Sequence, residues 1–244
     1  MSQIEKTEGI VLSKLDYSDS SKIVSLYTEE FGKISAIVKG GRGKNSKVGL
    51  VVDPLNIVNF VLYNKAQREV QLISGAEMVF YPVHLHDDFD SMKYAYAVLE
   101  LLKYLTVENE ANQRLYRGSS KILQLMDAKQ EPSEIIFLKY FLFILQETGF
   151  EIQMDACSIC HKVIEKERVN GFNYEHGMLC SACKNLYHTF LEIPMELFEQ
   201  IYSLKVGKRL KNYNLPAMKK LIIALEKFLK FHVQGFSGIK SLQM

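Results

Sequence analysis

Four cysteines, the only ones in 244 residues, stand in two close pairs: Cys157-Ser-Ile-Cys160 and Cys180-Ser-Ala-Cys183. The pattern C-x2-C-x19-C-x2-C falls in the range of a four-thiolate zinc site. Two residues between thiolates let one tight turn aim both sulfurs at a single ion, and the intervening "RVNGFNYEHGMLC" can form a hairpin that brings the second pair round. Cys157, Cys160, Cys180 and Cys183 are therefore predicted to hold one structural Zn2+, because four thiolates leave no open position for chemistry. With few large apolar residues of its own, the stretch would draw much of its folding free energy from the metal. His161 and His176 lie close by and are read as loop residues, since sulfur already fills the site. Other cysteine chemistries fit less well. Two disulfides conflict with a reducing cytosol, a redox dithiol calls for one C-x-x-C beside a βαβ pattern, and a zinc deaminase needs an H-x-E that is missing here.

Around this insert the hydrophobic pattern changes twice. In the first 80 residues, "GIVLSKLDY", "SKIVSLYT", "GKISAIVKG", "LVVDPLNIVNFVLY" and "REVQLISGAEMV" are β-branched and aromatic runs separated by turn residues. Five short strands without a long helical pattern predict an oligonucleotide/oligosaccharide-binding (OB) barrel. Helical spacing then takes over in "FDSMKYAYAVLELLKYL", with Asp90 or Ser91 as the expected N-cap. Further helices are read from Gln113 to Ala128 and after Pro132, the latter apolar nearly all round and so central to a bundle. Two more are read in "PMELFEQIYSL" and "LPAMKKLIIALEKFLKFHVQGF". The expected plan is an α+β multi-domain chain: an OB barrel over 1–80, a helical domain over 81–150 and 193–244, and a zinc module over 151–192 inserted between its halves. The longest near-continuous apolar run, Ile135 to Leu145, is too short to cross a bilayer, and the start of the chain lacks a signal-peptide stretch. The reading is a soluble cytoplasmic, nucleoid-associated protein without membrane contact.

Net charge is only +2, but it is unevenly spread. Residues 193–244 carry nine Lys or Arg against three acids, and "AIVKGGRGKNSKVGLVV" carries Lys39, Arg42, Lys44 and Lys47 with no acid at all. A glycine-containing cationic loop on a small barrel is a way to hold nucleic acid: cations track phosphates, and rings on the strands stack on bases. Lys39, Arg42, Lys44 and Lys47 are the first candidates for DNA contact, with Lys14, Lys22 and Lys33 as weaker additions. Tyr17, Tyr27, Phe60 and Tyr63 are candidate rings whose facing the sequence leaves open. The bland reading of the loop is a solvated hairpin. A second basic group, Lys205, Lys208, Arg209, Lys211, Lys219 and Lys220, extends a DNA path, receives an acidic tail, or is a solvated helix face.

Signals for catalysis are weak. "GGRGKNSK" lacks the Gly-Lys-Ser/Thr ending of a phosphate loop and is read as leading into a strand. "HLHDDFD", His84 to Asp90, is the best hydrolase candidate, set against a plain acidic helix cap. Neither a small-molecule substrate nor a catalytic residue is assigned.

The run "EGIVLSKLDYSDSSKIVSLYTEEFGKISAIVKGGRGKNSK" resembles the amino terminus of the RecO family, bacterial mediators of DNA repair and recombination. Gly32-Lys33 and Lys39-Gly40-Gly41-Arg42-Gly43 match that family's "HGK"-like residues and "KGARR"-type basic loop, and "FLKFHVQGFSGIKSL" looks like its carboxyl end. The likeness covers essentially the whole chain. It departs in having His176-Gly177 for a Gly-Gly pair and a single arginine in the loop. The resemblance implies a non-enzymatic protein that binds single- and double-stranded DNA and anneals complementary strands. It further implies that, with RecR, the protein loads RecA onto DNA coated by single-strand-binding protein (SSB), whose acidic C-terminal tail it contacts. The competing reading is a zinc-containing interaction scaffold with no direct role on DNA. A third is a metal-dependent nuclease at His84–Asp90.

Overall fold

In the computed structural model, which describes residues 3–65 and 67–243, the chain forms two compact units divided between Glu131 and Pro132. The first unit opens with β1 (Gln3–Tyr17), β2 (Ser21–Thr28) and β3 (Gly32–Val38), then α1 (Lys47–Val51), β4 (Ile57–Asn64) and β5 (Val70–Phe80). The strands close into a barrel in the order β1-β2-β3-β5-β4. All pairings are antiparallel except β3 with β5. This is the OB fold expected from the five apolar runs. β1 is long enough to pair with β4 along its first half and β2 along its second, bending at a register shift between Val11 and Ser13. Alternation decides the core. Ile34, Ala36 and Val38 point inward with Val24, Leu26, Val58 and Leu62, while Lys33, Ser35 and Ile37 face out. Tyr27 and Phe60 are fully buried among the interior side chains, so neither ring is open to a base.

The segment after the basic loop corrects the sequence reading. Residues 47–51 form α1, not a strand, and regular β structure resumes only at Ile57. Ser46 caps α1 by accepting the Gly49 amide (3.1 Å). Gly49 lies against the Gly41 carbonyl, where a Cβ would stand 2.0 Å from its oxygen. Val48 and Val51 pack on the barrel core, and Val52 is buried. The valines thus serve a capped helical turn, because five residues are too few to show a period.

Helices α2 (Val83–His86), α3 (Phe89–Leu105) and α4 (Gln113–Asp127) complete this unit. The cap of α3 is Asp88, two residues before the earliest position expected, and its carboxylate accepts the Ser91 amide (3.1 Å). Lys33 closes the other end, donating from Nζ to the carbonyls of Lys103 (2.9 Å) and Thr106 (2.7 Å). Tyr116 of α4 donates its hydroxyl to Glu8 of β1 (2.6 Å), and burial with that carboxylate beside it pushes the phenol far up.

The second unit contains α5 (Ser133–Glu147), α6 (Met195–Lys205) and α7 (Leu215–His232), with a small sheet of β6 (Asn170–Asn173), β7 (Gly177–Leu179) and β8 (Leu191–Ile193) in the order β7-β6-β8. The unit boundary falls inside the stretch 81–150 expected to be one half-domain: α3 and α4 belong with the barrel, α5 with the cysteines. α5 is buried on nearly every side, as its composition demands. The cysteine module is less self-contained than expected, since β6 pairs with β8 and Phe172 packs on Phe228 of α7 (6.2 Å). Among the described residues, no helix is long and apolar enough to cross a membrane.

Candidate functional site

The loop between β3 and α1 is built from three successive turns, closed by amide bonds from Gly41 to Val38, Gly43 to Gly40 and Ser46 to Gly43. Gly40 has φ +68°, a conformation glycine adopts without steric cost. The loop is also fastened to the β1–β2 turn. Arg42 donates its amide to Ser20 (2.9 Å) and its guanidinium to the Ser18 carbonyl (2.7 Å), with Nε 3.4 Å from Asp16. Lys22 donates to the Gly49 carbonyl (2.9 Å), pinning α1 from below.

These bonds sort the seven expected cations. Lys39, Lys44 and Lys47 are exposed, and none forms an ion pair. Arg42 is exposed but shared with Asp16 and Ser18, and Lys14 is paired with Asp53. Lys22 and Lys33 direct their ammonium groups inside the protein, Lys33 with a side chain only 12% exposed. Sequence reasoning missed Asp16 and Asp53 because the pairing is non-local: barrel closure, not chain proximity, brings each acid to its cation. Of the candidate rings, Tyr17 is half exposed and Tyr63 partly so. In the second basic group, Lys205 pairs with Glu151 (2.7 Å) and Lys219 with Glu134 (3.3 Å), leaving Lys208, Lys211 and Lys220 exposed without a carboxylate.

The four cysteines converge. Their sulfurs all lie within 4.8 Å of one another, with Cys160 and Cys180 at 3.7 Å, an arrangement that could hold a metal ion. Two knuckles build it. In the first, Cys157 donates its amide to Lys162 (2.8 Å) and His161 to Cys157 (2.9 Å). In the second, Lys184 donates to Cys180 (2.9 Å) and Leu186 to Cys183 (3.0 Å). The amide of Ser158 reaches the Met178 carbonyl (2.8 Å) and ties one knuckle to the strand leading into the other. Burial opposes ionisation of Cys157, but the amides of Cys160, Cys180 and Ile159 aimed at its sulfur outweigh it and bring the thiol down to about 6. Cys183 is pushed up to about 12 by burial and by its sulfur neighbours, a crowding that a bound cation relieves.

No such convergence occurs at His84–Asp90. Among the described residues the cysteines are the sole cluster of three or more potential metal ligands. His86 stacks on Tyr81 (5.0 Å), the amides of His84 and Leu85 are taken by Asp127, and Asp88 is the helix cap.

A closed five-stranded barrel with a helix between its third and fourth strands, accompanied by a four-thiolate cluster in a helical unit, defines an OB-fold protein with a metal-type site. Residues 1–82 match the family description "Recombination protein O N terminal", and residues 86–243 match "Recombination protein O C terminal". DNA repair protein RecO of Chlorobium limicola is 33% identical over 154 residues, 63% of this chain and 59% of that protein. The Chlorobium phaeobacteroides BS1 protein of the same name is 31% identical over 161 residues, 66% of this chain and 62% of the relative. That of Chloroherpeton thalassium is 25% identical over 253 residues, 99% of this chain and 97% of the relative. The chain thus spans about six-tenths of the two Chlorobium relatives and nearly all of the third. It belongs to the RecO family of recombination proteins.

Proposed function

We propose that this chain is a non-enzymatic, cytoplasmic mediator of DNA repair that binds single- and double-stranded DNA and anneals complementary strands. With RecR it helps to load RecA onto DNA coated by SSB. The observation that carries the reading is the braced loop that holds Lys39, Lys44 and Lys47 exposed and free of carboxylates on an OB barrel. Like-charged strands repel, and cations fixed on one protein surface lower that repulsion and raise local strand concentration. Arg42 adds a partly engaged charge and Lys14 a paired one, while Lys22 and Lys33 act by holding the frame. The exposed Lys208, Lys211 and Lys220 suit the acidic SSB tail.

The four cysteines fit Zn2+. Tetrahedral bonds of about 2.3 Å require sulfur separations of about 3.8 Å, and Cys160 and Cys180 already stand at 3.7 Å. The ion would be structural, stabilising the thiolates of Cys157, Cys160, Cys180 and Cys183 and thereby the fold around them.

The test is fluorescence anisotropy with labelled single-stranded DNA over a salt series. With three to four phosphates engaged, log affinity should fall with log salt at a slope of about −2 to −3. Lys39→Glu with Lys44→Glu should weaken binding roughly tenfold or more for any sequence and depress annealing in parallel, with circular dichroism unchanged. Unchanged affinity would take the loop out of the mechanism.

A further inference from the structure

The second unit carries an aromatic surface that neither the loop nor the thiolate cluster uses. Tyr174 follows β6, Phe190 precedes β8, and Phe231 sits near the end of α7. Tyr174 meets Phe190 (6.3 Å) and Phe231 (6.4 Å) edge-on, at 77° and 63° between ring planes. Edge-on packing fixes the rings against one another without covering every face. Phe231 is 56% exposed, while Tyr174 and Phe190 are partly so.

Positive charge borders the rings. Lys227 lies over Phe190, 4.2 Å from its centroid, and reaches Tyr174 at 5.9 Å. It is exposed and forms no ion pair. Along α7, Lys220, Ile223, Lys227 and Phe231 follow at spacings of three, four and four, placing all four on one exposed stripe. The two lysines are about 10 Å apart along the axis. The nearby acid of that helix is turned to other work, since Glu226 accepts the Ile239 amide (3.1 Å) and pairs with Lys230 (3.1 Å). Glu192 of β8 is paired with Lys184 (2.9 Å).

We infer that this platform of Tyr174, Phe190 and Phe231, bordered by Lys220 and Lys227, is a second single-strand binding surface. Unpaired bases stack on its rings and phosphates lie along the lysines. The composition favours a nucleic acid over a peptide, because the apolar part is chiefly aromatic and every base offers a π-face to such rings. A duplex hides those faces, so the surface selects single strands. The inference rests on the DNA-handling reading and deepens it: annealing needs two strands held on one protein, and a site on the second unit supplies the second.

The sequence offers a clean reporter, since the chain contains no tryptophan. Phe231→Trp at a half-exposed position creates a unique fluorophore on the platform. Oligothymidine should quench it saturably in the full-length protein, and an equal length of duplex should not. Adding Tyr174→Ala or Lys227→Ala should weaken the quenching fit at least about fivefold. Adding Lys39→Glu with Lys44→Glu should leave it in place. Anisotropy run in parallel keeps the two proposals apart. DNA bound without quenching overturns the platform and spares the loop. No binding by either readout overturns both. An acidic tail peptide that quenches the reporter while oligothymidine does not would also overturn the inference, assigning the surface to a protein partner.

Discussion

A methyl group added at Gly32 would stand 1.9 Å from the carbonyl oxygen of Glu110, and the backbone there has φ +66°. Gly32→Ala should therefore cost about 2 kcal/mol or more, read as a lower urea midpoint, with little effect on DNA affinity per folded molecule. Its neighbour Lys33 holds the carboxyl end of α3, so this pair, a family-like feature of the sequence, is structural in the fold. The sequence shows that Gly32 and Lys33 are unusual. It cannot show why, because their partners lie some seventy residues further on and meet them only through packing. The arginine of the loop is legible as a cation and illegible as a brace for the same reason. Asp88 makes a smaller point with a pH signature. Amide and hydroxyl bonds from Ser91, with Lys129 nearby, hold its carboxyl below the usual range. A depressed value means that the stabilisation is present above the unfolded carboxylate's pKa, about 3.9, and disappears as pH falls through the lower folded value. Asp88→Ala should cost about 1 kcal/mol at pH 7, and the gap between variant and parent should narrow below about pH 4.

β6, β7 and β8 span only three or four residues each, too little to persist by themselves. Their register depends on the two knuckles that place the sulfurs, with help from Phe172 on α7. Removing the ion with a strong chelator, or one ligand by Cys157→Ser, should speed amide exchange at Ser158, Leu186 and across β6–β7. Amides of β1–β5 should keep their protection, and loss of protection there would show that the cluster's influence reaches further than its own unit. The cysteine spacing alone makes this element legible, because coordination chemistry dictates where the chain must return. The longer helices are legible from their 3.6-residue period. α1 is not, being shorter than the window in which a period can be seen, and its valines read naturally as strand.

The division between Glu131 and Pro132 gives the chain two cores: an OB core with α3 and α4, and a helical core around α5 with the thiolate cluster. Thermal unfolding should accordingly show two transitions, and chelation should lower one of them only. A single cooperative transition that shifts as a whole would contradict independent cores. Strand count is open to sequence reasoning. Closure is not, since it depends on β1 pairing with β4 and on β3 running parallel to β5, contacts between segments dozens of residues apart. The boundary is hidden as well, because the short connection from α4 to α5 reads as an ordinary turn between neighbouring helices, and only their packing partners tell the two apart. The bracing of the basic loop bears on engineering. Its shape is set by main-chain contacts of Gly41, Gly43, Ser46 and Gly49, whereas the side chains of its exposed lysines contribute none of those bonds. Electrostatic strength and backbone contour are thus separately adjustable there: lysines can be moved, swapped or subtracted one position at a time while the scaffold that presents them stays still.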